Sequence, residues 1–212
     1  SLSPLEFIRD ILYKKLNTKV VVVGKDYKFG KNASGDVDTL KKYEEEFSYK
    51  TEVIDFIYDN NEKISSGTIR EMIKNSELEK ANEYLNRPYK IRGIVGHGYK
   101  RGRTLNFPTA NLKVNYDYVI PADGVYLTRV TVKGKSYFAL TNIGTNPTFE
   151  NRERKIETYI LDFSDDIYDE LVSIEFLEFF RGDFKFNNAD ELINQMETDK
   201  KMAYQTIKNK YL

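Results

Sequence analysis

The stretch GIVGHGYKRGRTLNFPTANL, from Gly93 to Leu112, carries residues whose types and spacing could do chemistry. Its first part interleaves glycines with cations, namely Gly96, Gly98, Gly102, Lys100, Arg101 and Arg103. Glycine lets backbone N–H groups approach an anion closely, and the cations supply matching charge. The run is neither a Walker loop nor a dinucleotide fingerprint, so tight turns on a solvated face remain the alternative to phosphate binding.

The end of this stretch, Pro108-Thr109-Ala110-Asn111, could hold a metal ion. Pro108 fixes its own φ and pushes Phe107 toward extended geometry, which predicts a non-helical segment. In an extended segment the side chains of Thr109 and Asn111 lie on the same face. Two neutral oxygens side by side suit a Mg²⁺ that keeps several waters and takes its negative ligands from substrate phosphates. Local hydrogen bonds to a turn are the alternative.

The composition limits the class of protein. The 212 residues contain 33 Lys and Arg and 33 Asp and Glu, so no global field attracts nucleic acid or an anionic membrane. The absence of cysteine excludes disulfides and a thiol nucleophile, and the single histidine, His97, excludes a multi-histidine metal site. No apolar run is long enough to span a bilayer and no signal peptide opens the chain. We expect a soluble cytoplasmic protein, with its oligomeric state left open.

The first part of the chain follows a β-α-β pattern. Ser3 and Glu6 form a predicted capping box that opens a helix. The four valines Val20–Val23 predict a buried strand, and a helix near 39–47 and a strand near 51–57 follow. This unit is half of a doubly wound sheet that lacks its first strand.

Two further helices are predicted before the strand-rich part. Ser65 or Ser66 caps the first, and Arg70 lies one turn in, so its free N–H groups could bind an anion unless it is an ordinary capped helix. Ser76-Glu77-Leu78-Glu79 predicts a capping box for the second. Arg87-Pro88 ends it, and we place the domain boundary between 86 and 87, giving domains 1–86 and 87–212.

Beyond Pro88 the periodicity indicates strands. They are predicted at 89–95, 124–132, 136–142, 155–163 and 171–180, with a hairpin turn at Lys133-Gly134-Lys135. Five or six closely spaced strands without intervening helices predict an antiparallel barrel. Asn188 and Glu191 open a final amphipathic helix that should pack on it.

Several polar residues of this part have two interpretations. Glu157 lies within a strand, where a glutamate usually faces solvent and pairs with neighbours such as Arg154 or Lys155. The loop that carries Asn142, Gly144, Asn146 and Thr148 suits a ligand with many hydrogen-bonding edges, or forms an Asx-type turn. Arg181 follows a strand, where a surface cation is the simple interpretation.

As an ordered set, these motifs resemble the flavokinase family. The glycine-rich segment runs into Pro-Thr-Ala-Asn, and PADGVY (121–126), NIGTNPTF (142–149), Glu157 within IETYILDF, and RGDFKF (181–186) follow in order. The resemblance spans 88–212, and the preceding residues resemble the tail of the adenylyltransferase domain of bacterial bifunctional riboflavin kinase/FAD synthetases. One departure is Asn106, which stands where the family usually has glycine.

The resemblance implies a small Greek-key barrel with a C-terminal helix that converts riboflavin and ATP into FMN with Mg²⁺. It implies that Glu157 is the base for the ribityl 5′-hydroxyl and that Thr109 and Asn111 hold the metal. The implied ATP-binding residues are Gly96, Gly98, Lys100, Gly102, Arg103, Thr109 and Asn111. The implied flavin-binding residues are Asn142, Gly144, Asn146, Thr148 and Arg181.

The resemblance of the first 86 residues implies only a remnant of the adenylyltransferase site. ISSGTIR resembles a late signature that contacts ATP phosphates, through Ser65, Ser66 and Arg70, with Gly67 in place of the usual hydroxyl residue. The family's early motif with two histidines has no counterpart in the sequence. We therefore expect a truncated parent enzyme whose FAD-forming activity is missing from this chain alone.

Two other classes of function are possible for such a barrel. A non-catalytic flavin- or nucleotide-binding barrel would need no base, and the joint presence of Thr109, Asn111 and Glu157 counts against it. A nucleic-acid-binding barrel would suit the many tyrosines and phenylalanines. The neutral net charge and the lack of a basic stripe count against that class.

Overall fold

A computed structural model of the protein describes residues 2–97, 107–145 and 154–212. The chain divides into two compact units, Ser1–Ile64 and Ser65–Leu212. The domain boundary between 86 and 87 concerns the two family-like segments and stays a prediction. Within the described ranges, no helix is long and apolar enough to cross a membrane.

The first unit contains a short parallel β-α-β arrangement. Its elements are α1 (Pro4–Glu6), a π-helical segment (Phe7–Lys15), β1 (Val20–Gly24), a 3₁₀ turn (Lys31–Ala33), α2 (Val37–Lys42), α3 (Glu44–Phe47), β2 (Lys50–Ile54), β3 (Tyr58–Asp59) and β4 (Glu62–Lys63). Strand β1 pairs in parallel with β2, as the predicted half of a doubly wound sheet requires. The predicted capping box of Ser3 and Glu6 is confirmed, with both reciprocal hydrogen bonds formed.

The prediction that the valine strand is buried is wrong for half of its residues. Val23 is buried and Val21 packs beside it on the core of this unit, but Val20 and Val22 are 49% and 58% exposed. Side chains alternate along a strand, so only one face of β1 meets that core. Within the described residues, β2 is the one strand that pairs with β1.

The second unit is built around a closed antiparallel barrel. Its elements are α4 (Ser66–Lys74), α5 (Leu78–Leu85), β5 (Tyr89–Gly96), β6 (Ala110–Lys113), β7 (Gly124–Val132), β8 (Lys135–Thr145), β9 (Arg154–Ile160), β10 (Leu171–Gly182) and α6 (Ala189–Lys210). The strand order around the barrel is β10-β5-β6-β9-β8-β7. Strands β7, β8 and β9 form a meander and β10 returns beside β7, which is a Greek-key arrangement. The predicted fold class is confirmed.

Most described side chains of the barrel interior are apolar, but three threonines add polar groups to it. The hydroxyls of Thr128, Thr141 and Thr158 form a buried chain across β7, β8 and β9, with Oγ–Oγ distances of 2.8 and 3.0 Å. Thr128 Oγ also donates to the carbonyl of Ala139 at 3.2 Å. The paired hydroxyls lower the desolvation cost of their burial and tie together three adjacent strands.

Helix α6 covers part of the outer surface of the barrel. Asn188 caps it by accepting a hydrogen bond from the backbone N–H of Glu191 at 2.8 Å, as predicted. Ala203 and Ile207 of α6 are buried together with apolar residues on the outer side of the barrel, namely Val125, Leu127, Leu140 and Leu177 of the strands and Leu161 just after β9. Strand β7 is therefore buried on both faces along its first half.

The predicted capping box at Ser76 is wrong. Helix α5 begins at Leu78, and its N-cap residue, Glu77, makes no side-chain capping bond. Ser76 lies at a φ of 64°, and its Oγ is 2.6 Å from the hydroxyl of Tyr126 inside the protein. Burial raises the pKa of the Tyr126 hydroxyl. A buried hydroxyl needs a hydrogen-bond partner, so Ser76 bonds Tyr126 in the barrel core and does not cap α5.

Glu175 links three neighbouring strands, β5, β10 and β7, through ion pairs on the outer face of the barrel. The carboxylate of Glu175 bonds Lys90 Nζ at 2.6 Å and Arg129 Nη2 at 2.7 Å across the neighbouring strands. Partial burial raises the pKa of Glu175, but the hydrogen bonds from the two cations outweigh burial and leave the pKa below its usual value. This carboxylate is therefore engaged in holding the strands.

A double-mutant cycle tests the Ser76–Tyr126 hydrogen bond. Tyr126→Phe should lower the free energy of unfolding by about 1–3 kcal/mol, because it leaves the buried Ser76 hydroxyl without its partner. Ser76→Ala should lower it by about 0.5–1.5 kcal/mol, because the Tyr126 hydroxyl still donates to the carbonyl of Ala122. The double variant should lose less than the sum, by about 0.5 kcal/mol or more. Urea unfolding of the four proteins measures this coupling. Additive losses would mean that the two hydroxyls act independently.

Candidate active site

The strand register brings four of the expected site residues into one line across the barrel. Gly96 on β5 lies opposite Asn111 on β6, Asn111 lies opposite Glu157 on β9, and Glu157 lies opposite Asn142 on β8. Side chains of directly paired residues have Cβ atoms about 4.5–5.5 Å apart. We call Gly96, Asn111, Glu157 and Asn142 the polar row.

The polar row faces outward. Ile156 and Thr158, on either side of Glu157, are buried in the barrel. Ala110 and Leu112, on either side of Asn111, pack against the same core. Because side chains alternate along a strand, Asn111 and Glu157 point to the opposite face, where a ligand could reach them.

The carboxylate of Glu157 does not form the ion pair with Arg154 that a strand-surface glutamate would form. Arg154 instead pairs with Asp123, with Nη2 2.6 Å from Oδ1. The residues directly opposite Glu157 are the neutral amides Asn111 and Asn142. Among the residues that the structure describes, no hydrogen bond or ion pair occupies this carboxylate. Its acceptor capacity is free for a ligand.

The donor set at the Asn111 end of the row suits Mg²⁺. Ala110, which separates Thr109 from Asn111, packs against the barrel core, consistent with a shared outward face for the two flanking side chains. No group of three or more His, Cys, Asp or Glu that could hold a metal occurs in the described ranges. A site with neutral oxygens and one nearby carboxylate fits an ion that completes its shell with water and phosphate oxygens.

An aromatic cluster that sequence reasoning missed anchors the chain beside the row. The Phe107 ring is buried and lies 5.0 Å from the Tyr159 ring, two residues beyond Glu157 on β9. Lys200 Nζ of α6 lies 5.9 Å from both ring centroids. The start of the Phe107–Asn111 segment is therefore held by packing, and helix α6 reaches this side of the row.

Arg181 occupies the far end of the same line. On β10 it lies opposite Val125, which in turn lies opposite Asn142 of the row. Its side chain is only 17% exposed and forms a bidentate ion pair with the buried Asp199 of α6. The interpretation as a surface cation is therefore wrong. Asp199 was missed, although a carboxylate one helical turn before Ala203, on the apolar stripe of α6, is a visible signal.

A second acidic residue lies near the Asn142 end of the row. A Cβ built on Gly144 would lie 3.1 Å from Asp183 Oδ2 and 3.7 Å from Asn142 Oδ1. The Asp183 carboxylate is therefore close to Gly144, one of the residues expected to bind flavin. Sequence reasoning treated Arg181-Gly182-Asp183 only as a motif and did not assign Asp183 a place at the site.

Several expected site residues lie outside the described ranges. They are Gly98, Lys100, Gly102, Arg103, Asn146 and Thr148, together with Asn106. Their assignments stay predictions. His97, just before the first of these gaps, stacks on Tyr168 at 4.5 Å and places Nε2 3.6 Å from Asp169 Oδ2.

The three residues of the expected adenylyltransferase remnant lie at the start of α4, not on a strand of the row. Ser65 is the N-cap residue, and its Oγ accepts from the N–H of Thr68 at 3.1 Å. Arg70 Nη1 donates to Ser66 Oγ at 3.0 Å. The predicted capped helix is confirmed, whereas its contact with phosphates stays a prediction.

A closed Greek-key barrel with an outward row of amide and carboxylate groups defines the class of this unit as a small antiparallel barrel, an architecture that can bind ligands on its surface. Comparison with known families identifies the group within this class. The sequence model of the riboflavin kinase (flavokinase) family matches residues 85–207, and the model of the FAD synthetase family matches residues 1–68. The chain belongs to the riboflavin kinase family.

Individual relatives agree with this assignment. The chain is 43% identical to the bifunctional riboflavin kinase/FMN adenylyltransferase of Listeria monocytogenes over 93% of its own length and 63% of that protein. It is 37% identical to the enzyme of the same description from Bacillus subtilis, over 99% of the chain and 66% of that protein. The chain therefore spans about two thirds of the length of these relatives.

A solved structure has the same fold over nearly the whole chain. It is described as a macrolide-efflux protein from Streptococcus pneumoniae, and it matches with a TM-score of 0.85 at 36% identity. The match covers 96% of this chain and 66% of that one. The efflux function in that description concerns the other protein, and the family assignment here rests on the sequence models.

Two glycines of β5 test how closely β6 must approach to form the row. A Cβ on Gly93 would overlap the backbone oxygen of Lys113, whereas a Cβ on Gly96 would meet only the flexible Lys113 side chain. Gly93→Ala should therefore lower the free energy of unfolding by about 1–3 kcal/mol. Gly96→Ala should change it by less than about 0.5 kcal/mol. Thermal unfolding of both variants checks this, and equal losses would contradict the register of β5 and β6.

Proposed function

We propose that this chain transfers the γ-phosphoryl group of ATP to the 5′-hydroxyl of riboflavin, giving FMN and ADP. The single observation that supports the proposal is the polar row, where the Glu157 carboxylate lies between two amides on adjacent strands and has no partner among the described residues. In the reaction the hydroxyl oxygen forms a bond to the γ-phosphorus and the bond from phosphorus to the bridging oxygen breaks. The hydroxyl proton passes to a base and ADP leaves.

Glu157 is the base in this proposal. A base must lie within hydrogen-bond reach of the hydroxyl and have a free acceptor oxygen, and the Glu157 carboxylate has no competing partner in the described ranges. Phosphoryl transfer passes through a loose transition state, in which the nucleophile needs little activation. The main effect of Glu157 is therefore to orient the ribityl hydroxyl toward the phosphorus, and it takes the proton as the new bond forms.

The nucleotide is assigned to the side of the row that β6 forms. Thr109 and Asn111 would hold Mg²⁺ there, and the glycine-rich segment that precedes them in the sequence would contact the phosphates. Mg²⁺ held by these two side chains would supply positive charge to offset the negative charge that develops on the transferred phosphoryl group. Asn111 lies directly opposite Glu157 in the pairing of β6 with β9. This pairing fixes the position of the proposed metal ligand relative to the proposed base.

The flavin is assigned to the other side of the row, where β8 and the end of β10 lie. Asn142 is paired with Glu157, and Gly144 lies two residues further along the same strand. Asn146, Thr148 and Arg181 complete the proposed flavin site. The ribityl chain would thus lie between the flavin ring and Glu157, with its terminal hydroxyl nearest to the carboxylate.

The direct test is incubation of the chain with riboflavin, ATP and Mg²⁺, followed by chromatographic separation of the flavins. FMN that accumulates in proportion to enzyme and time supports the proposal. Riboflavin that binds, as measured by quenching of its fluorescence, but is never phosphorylated would contradict it and identify a non-catalytic flavin-binding barrel.

Substitution of Glu157 tests the base. Glu157→Gln keeps size and removes the charge, so kcat should fall by about 10²–10⁴-fold while riboflavin still binds. Steady-state kinetics with a binding titration measure both quantities. Glu175→Gln is the matched control, because it removes a carboxylate from the outer face of the same barrel, where it pairs with Lys90 and Arg129. A normal kcat for Glu157→Gln would refute its role.

Substitution of Thr109 and Asn111 tests the metal site. Thr109→Ala and Asn111→Ala should each raise the Mg²⁺ concentration for half-maximal rate by about tenfold or more, the effect of losing roughly 1.4 kcal/mol of binding free energy. Thr131→Ala is the control, since its hydroxyl lies away from the row and pairs with Ser136 at 2.9 Å. A Mg²⁺ dependence that stays unchanged in both variants would remove these residues from the metal site.

A further inference from the structure

A buried charge lies in the contact between the C-terminal helix and the barrel. Asp199 of α6 is 3% exposed, on the side of the helix that also buries Ala203 and Ile207. Arg181 Nη2 donates to Asp199 Oδ2 at 2.7 Å, and Arg181 Nε lies 3.1 and 3.2 Å from the two carboxylate oxygens. Gln195 adds a hydrogen bond of 2.8 Å to Oδ1. The carboxylate is thus held by three side-chain nitrogens.

The buried Arg181–Asp199 ion pair is not explained by stability alone. A buried ion pair must offset the desolvation of both charges, and a well-packed apolar pair often docks a helix equally well. The ion pair does fix the orientation of the Arg181 side chain, because a bidentate contact sets the plane of the guanidinium group. The rest of Arg181 is also engaged, with Nη1 donating to the carbonyl of Gly182 at 3.1 Å and the guanidinium carbon 4.6 Å from the Phe184 ring centroid.

The segment that Arg181 holds lies at the flavin end of the row. Phe184, which is 48% exposed, packs against Phe186 at 4.7 Å, and Asp183 lies close to Gly144. The contacts therefore run from Asp199 through Arg181 to an exposed aromatic ring beside the expected flavin residues. An exposed ring held in one orientation can pack against a planar aromatic ligand.

We infer that Asp199 is a positioning residue for the flavin: it fixes Arg181, and Arg181 holds the segment Arg181–Phe186 in the orientation that receives the isoalloxazine ring. This inference rests on the proposed function. The next residue of the helix, Lys200, lies beside Phe107 and Tyr159 on the nucleotide side of the row. The described contacts of Asp199 itself run to Arg181 and Gln195 and not to the Phe107–Tyr159 pair. Its effect should therefore be specific to riboflavin and leave ATP binding unchanged.

The chain offers a closely matched control. Glu178 of β10 forms a second ion pair with the same helix, with Lys210 Nζ at 3.0 Å, and it accepts from the Tyr211 hydroxyl at 3.1 Å. Its side chain is 12% exposed, against 4% for Asp199. Glu178→Gln and Asp199→Asn therefore each remove one carboxylate charge between β10 and α6, at opposite ends of the contact.

The experiment compares these two variants with the wild type by thermal unfolding, by steady-state kinetics for both substrates and by riboflavin fluorescence titration. Asp199→Asn should raise the KM and the dissociation constant for riboflavin by about tenfold, as expected for one lost charge-assisted contact, with the KM for ATP unchanged within about twofold. Glu178→Gln should lower the melting temperature without changing either KM. Equal effects of the two variants on riboflavin, or no effect of Asp199→Asn, would overturn the inference.

Two further measurements keep the test decisive. If Asp199→Asn does not fold, Gln195→Met, which keeps the ion pair and removes only its support, should still weaken riboflavin binding relative to wild type, and unchanged binding would overturn the inference. If the wild-type chain binds riboflavin but forms no FMN, the proposed function fails. The fluorescence titration then still decides the role of Asp199, because it measures binding without turnover.

Discussion

The antiparallel pairing of β6, β9 and β8 is the constraint on which the candidate site depends. Each pairing places residues of distant sequence position directly opposite one another, so Asn111, Glu157 and Asn142 form one line. Side chains alternate between the two faces of a strand. A shift of one residue in any of these strands would therefore make its site side chain point into the barrel interior. The same register sends Ile156 and Thr158 into the core. The register of β6, β9 and β8 therefore determines both the packing of the barrel core and the geometry of the candidate site.

The surroundings of the row hold that register from both sides of the sheet. Inside, the threonine hydroxyls link β7, β8 and β9 directly beneath the row. Outside, α6 contacts Arg181 through Asp199 and the Phe107–Tyr159 pair through Lys200, which are neighbours in sequence. The helix therefore contacts both the proposed flavin side and the proposed nucleotide side of the row. Rigid supports of this kind are what a site needs when its chemistry consists mainly of positioning.

Sequence patterns predict five of the six barrel strands and the final helix, because alternation and capping residues are local signals. The short strand β6 has only four residues, and the sequence predicts its extended geometry but not its pairing. The serine at position 76 misleads for a related reason. Its pattern with Glu79 fits a helix start, yet the buried hydroxyl of Tyr126, fifty residues away, takes the serine as its partner. Contacts between distant segments decide both cases, and no local pattern contains them.

The same limit applies to the acidic residues that surround the site. Glu157, Glu175 and Glu178 all lie in strands with similar alternation, and Asp199 lies on a helix, so local sequence does not separate their roles. Their partners do. Glu175, Glu178 and Asp199 each bond at least one lysine or arginine from another element, which uses their charge to hold the fold. Glu157 faces two amides and, within the described ranges, bonds no cation. A carboxylate can accept a proton or orient a hydroxyl only if its oxygens are not already occupied, and among these four acids Glu157 alone meets that condition in the part of the chain that the structure describes.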